Sequence, residues 1–171
     1  MDYTVLDLDT YKRKQHFKYF SGLAFPYVGT TAPVDITALM EKIRREGLPS
    51  FLTFCYCTLE SAMPFAEYLP CAKREQERAK AACSIEEDAA DTGDLLFIST
   101  LPWLSYTALV QPVPAPADSN PRITWGRFYA EGEKTLLPVS VLCNHALVDG
   151  LHIAAFYRRL EAEMAALCAQ P

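Results

Sequence analysis

The chain has 171 residues, 50% of them hydrophobic and 22% charged, which fits one globular domain with its own core. Its formal net charge of −5 argues against a nucleic-acid-binding protein, which calls for a basic face. No window approaches the roughly 18 apolar residues of a membrane span. The opening "MDYTVLDLDTYKRK" lacks the basic stretch and apolar run of a secretory signal, so a cytoplasmic setting without a membrane partner is expected.

In chain order, "DLDTYKRKQHFKYFSGL" reads as a helix capped by Asp9 or Thr10, with Tyr11, Phe17 and Phe20 on its apolar face. "FPYVGTTAPVDIT" reads as extended chain broken by turns at Gly29 and Pro33. "DITALMEKIRREG" follows as a helix, with Asp35 as its cap and Gly47 as its stop. "SFLTFCYCTLESAMPF" is apolar nearly all round and predicts a buried helix after Pro49-Ser50.

Residues 70 to 95 predict strand, turn and loop, although "KREQERAK" (Lys73 to Lys80) has the mixed charge of a solvated helix face. "LLFISTLPWLSYTALV" is strand-like up to Leu101, where Pro102 disturbs it. "APADSNPR" has the turn residues of a surface loop. "RITWGRFYAEGEKTLLPVSVLCNH" reads as two strands around the turn "EGEK". The last segment, "LHIAAFYRRLEAEMAALCA", is an amphipathic helix with Ile153, Phe156, Leu160, Met164 and Leu167 on its buried side. Helices and strand pairs mix without regular βα alternation, so the expected class is α+β, a two-layer sandwich with helices on one face of a sheet.

Six cysteines stand at 55, 57, 71, 83, 143 and 168 with no C-x-x-C pair. They lack the spacing of a zinc site, and Cys55 and Cys57 read as small buried hydrophobes. There is no phosphate-binding glycine loop, no dinucleotide motif and no H-E-x-x-H. The notable stretch is "VLCNHALVDG". It places His145, one of only three histidines, at the end of a strand-like run, four residues before Asp149. His145 can be a half-buried structural histidine or a base that is neutral at pH 7. Asp149 can be the cap of the last helix or the partner of a distant arginine. Ser99, in "FISTLPW", is a hydroxyl in an apolar strand without the G-x-S-x-G setting of a hydrolase nucleophile.

"NHALVDGLHIAAFYRRLEAE" resembles the signature of the chloramphenicol acetyltransferase family, H-H-x-x-x-D-G followed by a helix. The likeness extends to the aromatic-x-Arg-x-x-His-Phe stretch in "YKRKQHF", to "PVDITALMEKI", to "ISTLPW" and to "ITWGRFYAEGEKTLLPVSV". It implies a single acyltransferase-like domain over residues 1–171, with a mixed β-sheet and a shortened middle around 70–95. It also implies a CoA-dependent O-acetyltransferase that moves acetyl from acetyl-CoA to a hydroxyl of a small molecule, without a metal. His145 matches the general base, and Ser99 the donor to the oxyanion. Thr124 matches a threonine that helps the intermediate through a water. Asp149 and Arg13 match a structural pair that holds the histidine loop. Phe17, Tyr19 and Phe20 lie where the family lines its acceptor pocket. The family forms trimers with active sites between subunits, and antibiotic resistance is its best-known role.

Three departures stand out. Asn144 replaces the first histidine of the motif, and Phe20 stands where antibiotic-modifying members have tyrosine. The chain is also short between Leu69 and Leu95, a region that in the family supplies strands, a helix and part of the acceptor pocket. That shortening leaves open the alternative of a non-catalytic trimeric scaffold that binds a small ligand or a protein.

Overall fold

The structure, a computed structural model, describes residues 4–59, 63–82 and 95–170. Its elements in order are α1 (Lys14–Ser21), β1 (Tyr27–Asp35), α2 (Thr37–Glu46), α3 (Ser50–Leu59), α4 (Phe65–Ala82), β2 (Phe97–Leu101), β3 (Arg122–Gly126), β4 (Tyr129–Glu131), β5 (Lys134–Asn144) and α5 (Gly150–Ala169). The sheet runs β1-β5-β3-β2, and β4 also pairs with β5. All pairs are antiparallel except β2 with β3, so the sheet is mixed. Helices α2, α3 and α5 share one core with the sheet, built on Val34, Leu39, Phe54, Trp125, Val139 and Leu160. The class is therefore α+β with helices on one face.

β5 is the central strand because it is long and apolar on its core side, with Leu136 to Val141 all buried. β1 runs unbroken through both Gly29 and Pro33, where the sequence predicts turns. Pro33 lies opposite Pro138 on β5. Pro138 in turn falls where β5 exchanges β3 (last pair Trp125 with Val139) for β4 (first pair Tyr129 with Leu136). A proline without a donor is tolerated at such an edge or gap. Gly29 fits the strand for a steric reason: a Cβ there would lie 2.8 Å from the Val141 carbonyl oxygen and 2.9 Å from Leu142 Cδ1.

α1 begins at Lys14, later than the sequence predicts, and neither Asp9 nor Thr10 caps it. The Asp9 carboxylate is instead taken by Lys14 Nζ, and Thr10 folds back onto Asp7. Asp35 does accept the Thr37 amide, at 3.0 Å, at the start of α2. Gly47 ends that helix at φ +63°, a left-handed position that suits glycine. α3 is buried from Leu52 to Thr58, as its all-round apolarity predicts.

The largest correction is α4. Residues 65–82 form one helix through Pro70, not strand and loop. Ala, Lys, Arg, Glu and Gln dominate from Ala72 onward and are good helix formers. Glu75–Arg78 and Glu77–Lys80 pairs (2.9 and 2.8 Å) line its solvated side. The remainder of the 70–95 prediction, residues 83–94 with Cys83, lies outside the described residues. No helix among the described residues is long and apolar enough to cross a membrane.

Candidate active site

His145 follows directly on β5, and its loop is pinned from several sides. Its amide donates to the Pro26 carbonyl at 2.7 Å. Its carbonyl lies 2.6 Å from His16 Nε2 on α1, which must donate, since a carbonyl only accepts. Its Nδ1 lies 2.8 Å from the Val148 carbonyl. By the same logic Nδ1 donates, so in the neutral ring the lone pair sits on Nε2, which meets no polar partner among the described residues. Phe20 stacks on the imidazole, ring centroids 3.9 Å apart, and fixes its plane.

The residues after His145 complete this support. Arg13 lies at the N-terminus of α1, and its Nη2 is 3.2 Å from Asp149 Oδ2. Its Nη1 donates to the Leu147 carbonyl at 2.8 Å. Asp149 also caps α5, accepting from the amides of Leu151 (3.0 Å) and His152 (3.4 Å). The two readings of Asp149 from the sequence are thus not exclusive. The nearby His152 ring, 2.8 Å away, and these amides hold the Asp149 carboxyl below its ordinary range. Asn144 bridges the other side, donating to the Asp118 carbonyl at 2.8 Å and accepting the Ala146 amide at 3.0 Å. Asparagine does both because its amide is at once donor and acceptor.

The "APADSNPR" loop is more than surface. Asp118 takes a two-pronged pair of bonds from Arg122 (2.9 and 2.8 Å) and one from the Tyr27 hydroxyl (2.9 Å). Arg122, followed by the Tyr27 bond, keeps the Asp118 carboxyl low. Sequence reading missed this cluster, and the only available signal was an aspartate four residues before an arginine at a strand start.

Ser99 and Thr124 occupy paired positions on β2 and β3, with their hydroxyls 2.7 Å apart. Thr124 pairs in turn with Ser140 on β5, and Ser140 with Thr31 on β1. A row of four hydroxyls therefore crosses the sheet. Ser140 and Thr31 are 2.6 Å apart, and the Tyr106 hydroxyl lies over the row, bonded to the Thr124 carbonyl at 2.9 Å. Thr124 is buried while Ser99 is exposed.

These two groups do not meet within one chain. His145 lies five positions beyond Ser140 on β5, and Ser99 lies two strands away from β5. At about 3.3 Å per residue and 4.8 Å per strand, the separation is on the order of 20 Å. The acceptor-pocket candidates also divide. Phe17 lines a cleft of about 700 Å³ beside the histidine loop, together with Leu23, Pro116, Asn144 and Leu147. Phe20 packs on His145 instead, and Tyr19 is 67% exposed with its ring against Phe20. Among the described residues no cluster of three or more His, Cys, Asp or Glu could hold a metal.

Comparison with solved structures places the fold. A chloramphenicol acetyltransferase superposes with a TM-score of 0.78 at 16% identity, covering 94% of this chain and 99% of that one. The dihydrolipoamide acetyltransferase of Azotobacter vinelandii gives 0.58 at 20% identity, over 91% and 87%. The fold is therefore one that this chain shares with both acetyltransferases. Residues 65–161 match the family model for chloramphenicol acetyltransferase. Relatives of that name include one from Proteus mirabilis, 24% identical over 92% of each chain, and chloramphenicol acetyltransferase 2 from Escherichia coli, 26% identical over 94% and 96%. The chain belongs to the chloramphenicol acetyltransferase family of CoA-dependent O-acetyltransferases. The Proteus alignment spans 203 positions, more than this chain has residues, in keeping with a shortened member.

Proposed function

We propose that the chain transfers acetyl from acetyl-CoA to a hydroxyl of a small molecule, with His145 as general base. The observation that carries this reading is the bond from His145 Nδ1 to the Val148 carbonyl. It leaves Nε2 as the lone pair that takes the acceptor's proton while the acceptor oxygen attacks the thioester carbonyl carbon. Ser99 donates to the carbonyl oxygen as negative charge develops there, and it fits that task because the residue is exposed. Thr124, buried and bonded directly to Ser99, supports that hydroxyl and helps the intermediate through a water. Arg13 and Asp149 brace the loop, and the cleft at Phe17 takes the acceptor. Its size and mixed lining suit a drug-sized compound. The single domain holds only half of each site: His145 of one chain works with Ser99 of another in a trimer. The dihydrolipoamide acetyltransferase of Azotobacter vinelandii supports the constellation, because a serine, a histidine and an asparagine four residues after that histidine are the residues investigated for a role in its catalytic mechanism. Asp149 stands four residues after His145.

The test is CoA release from acetyl-CoA with a panel of hydroxyl compounds that includes chloramphenicol. His145→Ala should lower turnover about 10²–10⁴-fold on the panel's best acceptor. Equal turnover in wild type and variant removes the base assignment. Absence of any turnover, with ligand binding intact in both, leaves the scaffold reading.

A further inference from the structure

The hydroxyl of Ser99 can serve a reacting oxygen only if its single proton is not spent elsewhere. Among the described residues, Thr124 Oγ1 meets two polar side chains: Ser99 Oγ at 2.7 Å and Gln111 Oε1, which accepts from it, at 3.3 Å. Each hydroxyl has one proton to give. The chain of bonds therefore runs in one of two directions. If Gln111 presents its oxygen, Thr124 donates to Gln111, Ser99 donates to Thr124, and no proton faces the substrate. If Gln111 presents its NH₂, it donates to Thr124, Thr124 donates to Ser99, and the Ser99 proton is free. Gln111 Oε1 faces Thr124, the first of these directions, and a half-turn of the amide, which leaves its shape nearly unchanged, gives the second.

We infer that Gln111 is a positioning residue, whose amide NH₂ sets the direction of the Gln111–Thr124–Ser99 chain so that Ser99 donates to the thioester oxygen. This inference rests on the proposed role of Ser99 and names the group that makes that role possible. The surroundings leave room for it. The Tyr106 hydroxyl already donates to the Thr124 carbonyl, so it does not compete for Oγ1. Gln111 itself stands midway along the segment between β2 and β3, half-buried, beside a cleft of about 280 Å³ lined by Thr31, Leu109 and Ser140. No proton is consumed in this arrangement. The chain only orients hydrogens, and the reacting proton still leaves through His145.

The test uses the intact oligomer and CoA release from acetyl-CoA with the best acceptor of the panel above. Gln111→Glu replaces the donor with a carboxylate that only accepts, so it locks the chain in the unproductive direction. Its kcat should fall on the order of 10–100-fold, a large part of the 10²–10³ typical of one lost oxyanion donor, with KM for acetyl-CoA little changed. Gln111→Met keeps the length and neither donates nor accepts, so its loss should be several-fold smaller. In a Ser99→Ala background Gln111→Glu should have almost no further effect, because the proton it misdirects is gone. Thermal midpoints and oligomer mass identify a variant that has merely lost its fold. Equal losses in Glu and Met, a loss in KM alone, or an additive loss with Ser99→Ala overturns the assignment of Gln111. An inactive wild-type protein overturns it together with the proposed function, whereas active wild type with an unaffected Gln111→Glu overturns it alone.

Discussion

At the scale of single residues, positions that look dispensable in the sequence are held by specific contacts. Gly29 reads as a turn but is a close approach between strands, with no room for a methyl group. Gly29→Ala should destabilise the protein by about 1–3 kcal/mol, the usual range for overpacking, as a lower urea midpoint at unchanged slope. An unchanged midpoint would mean that β1 shifts freely against β5. The cysteines show the reverse case. Burial pushes the Cys55 and Cys57 thiols up to about 12. Since the thiolate is the nucleophile, both should resist a thiol reagent at pH 8 in the native protein and react only on unfolding. Mass mapping of the labelled sites checks this. His145 was legible because an apolar strand ends beside it. Gln111 was not, because nothing local distinguishes it from other glutamines in a proline-rich loop.

At the scale of elements, the histidine loop is a joint between β5, α1 and α5, and Asp149 serves all three roles there. It caps α5, faces Arg13 and lies against His152. Asp149→Asn keeps an oxygen for the cap but removes the charge facing Arg13. It should retain most of the thermal midpoint and lose turnover, whereas Asp149→Ala should lose both. Parallel loss of midpoint and turnover in the Asn variant would mean that the charge facing Arg13 holds the whole fold rather than the set of the histidine loop. Acid should act on the Asp118–Arg122 element. The Asp118 carboxyl is lowered from 3.8 in the folded state. Its contribution to stability is therefore fully present above the unfolded value, and is lost as pH falls through the lower folded one. Asp118→Asn should be less stable than wild type at neutral pH, with the gap closing below about pH 4 in denaturant titrations. A gap that stays constant with pH would mean that the charge on Asp118 is not what stabilises the loop. Helix α4 marks a limit of local reading at this scale. The sequence predicts strand, turn and loop from residue 70, and the helix propensity of Ala72 to Ala82 carries α4 on through Pro70.

At the scale of the molecule, the roughly 20 Å between His145 and Ser99 bears on assembly. With active sites shared between chains, His145→Ala and Ser99→Ala proteins should each be nearly inactive. Mixtures refolded together should regain turnover, because some sites then pair an intact His145 with an intact Ser99. No recovery in mixed oligomers confirmed by mass would place both groups in one chain's site and would call for a large closing motion. Ser99 lies exposed on the edge strand β2, and Trp103 and Leu104 just beyond it are exposed as well.

Local pattern alone was enough for β5, α5, the buried α3 and the α+β class. Each depends on period and burial, which a run of ten to twenty residues carries within itself. It was also enough to mark His145 and Asp149 as a pair worth weighing, since their spacing is local. Folding decided the rest, because these features rest on pairing between distant segments. Register sets Ser99 against Thr124 and Pro33 against Pro138, α1 swings Arg13 and His16 onto a loop more than 120 residues away, and a proline-rich loop brings Gln111 over the sheet. Such contacts are set by which strand faces which and how the layers pack, and no short window of sequence contains that information.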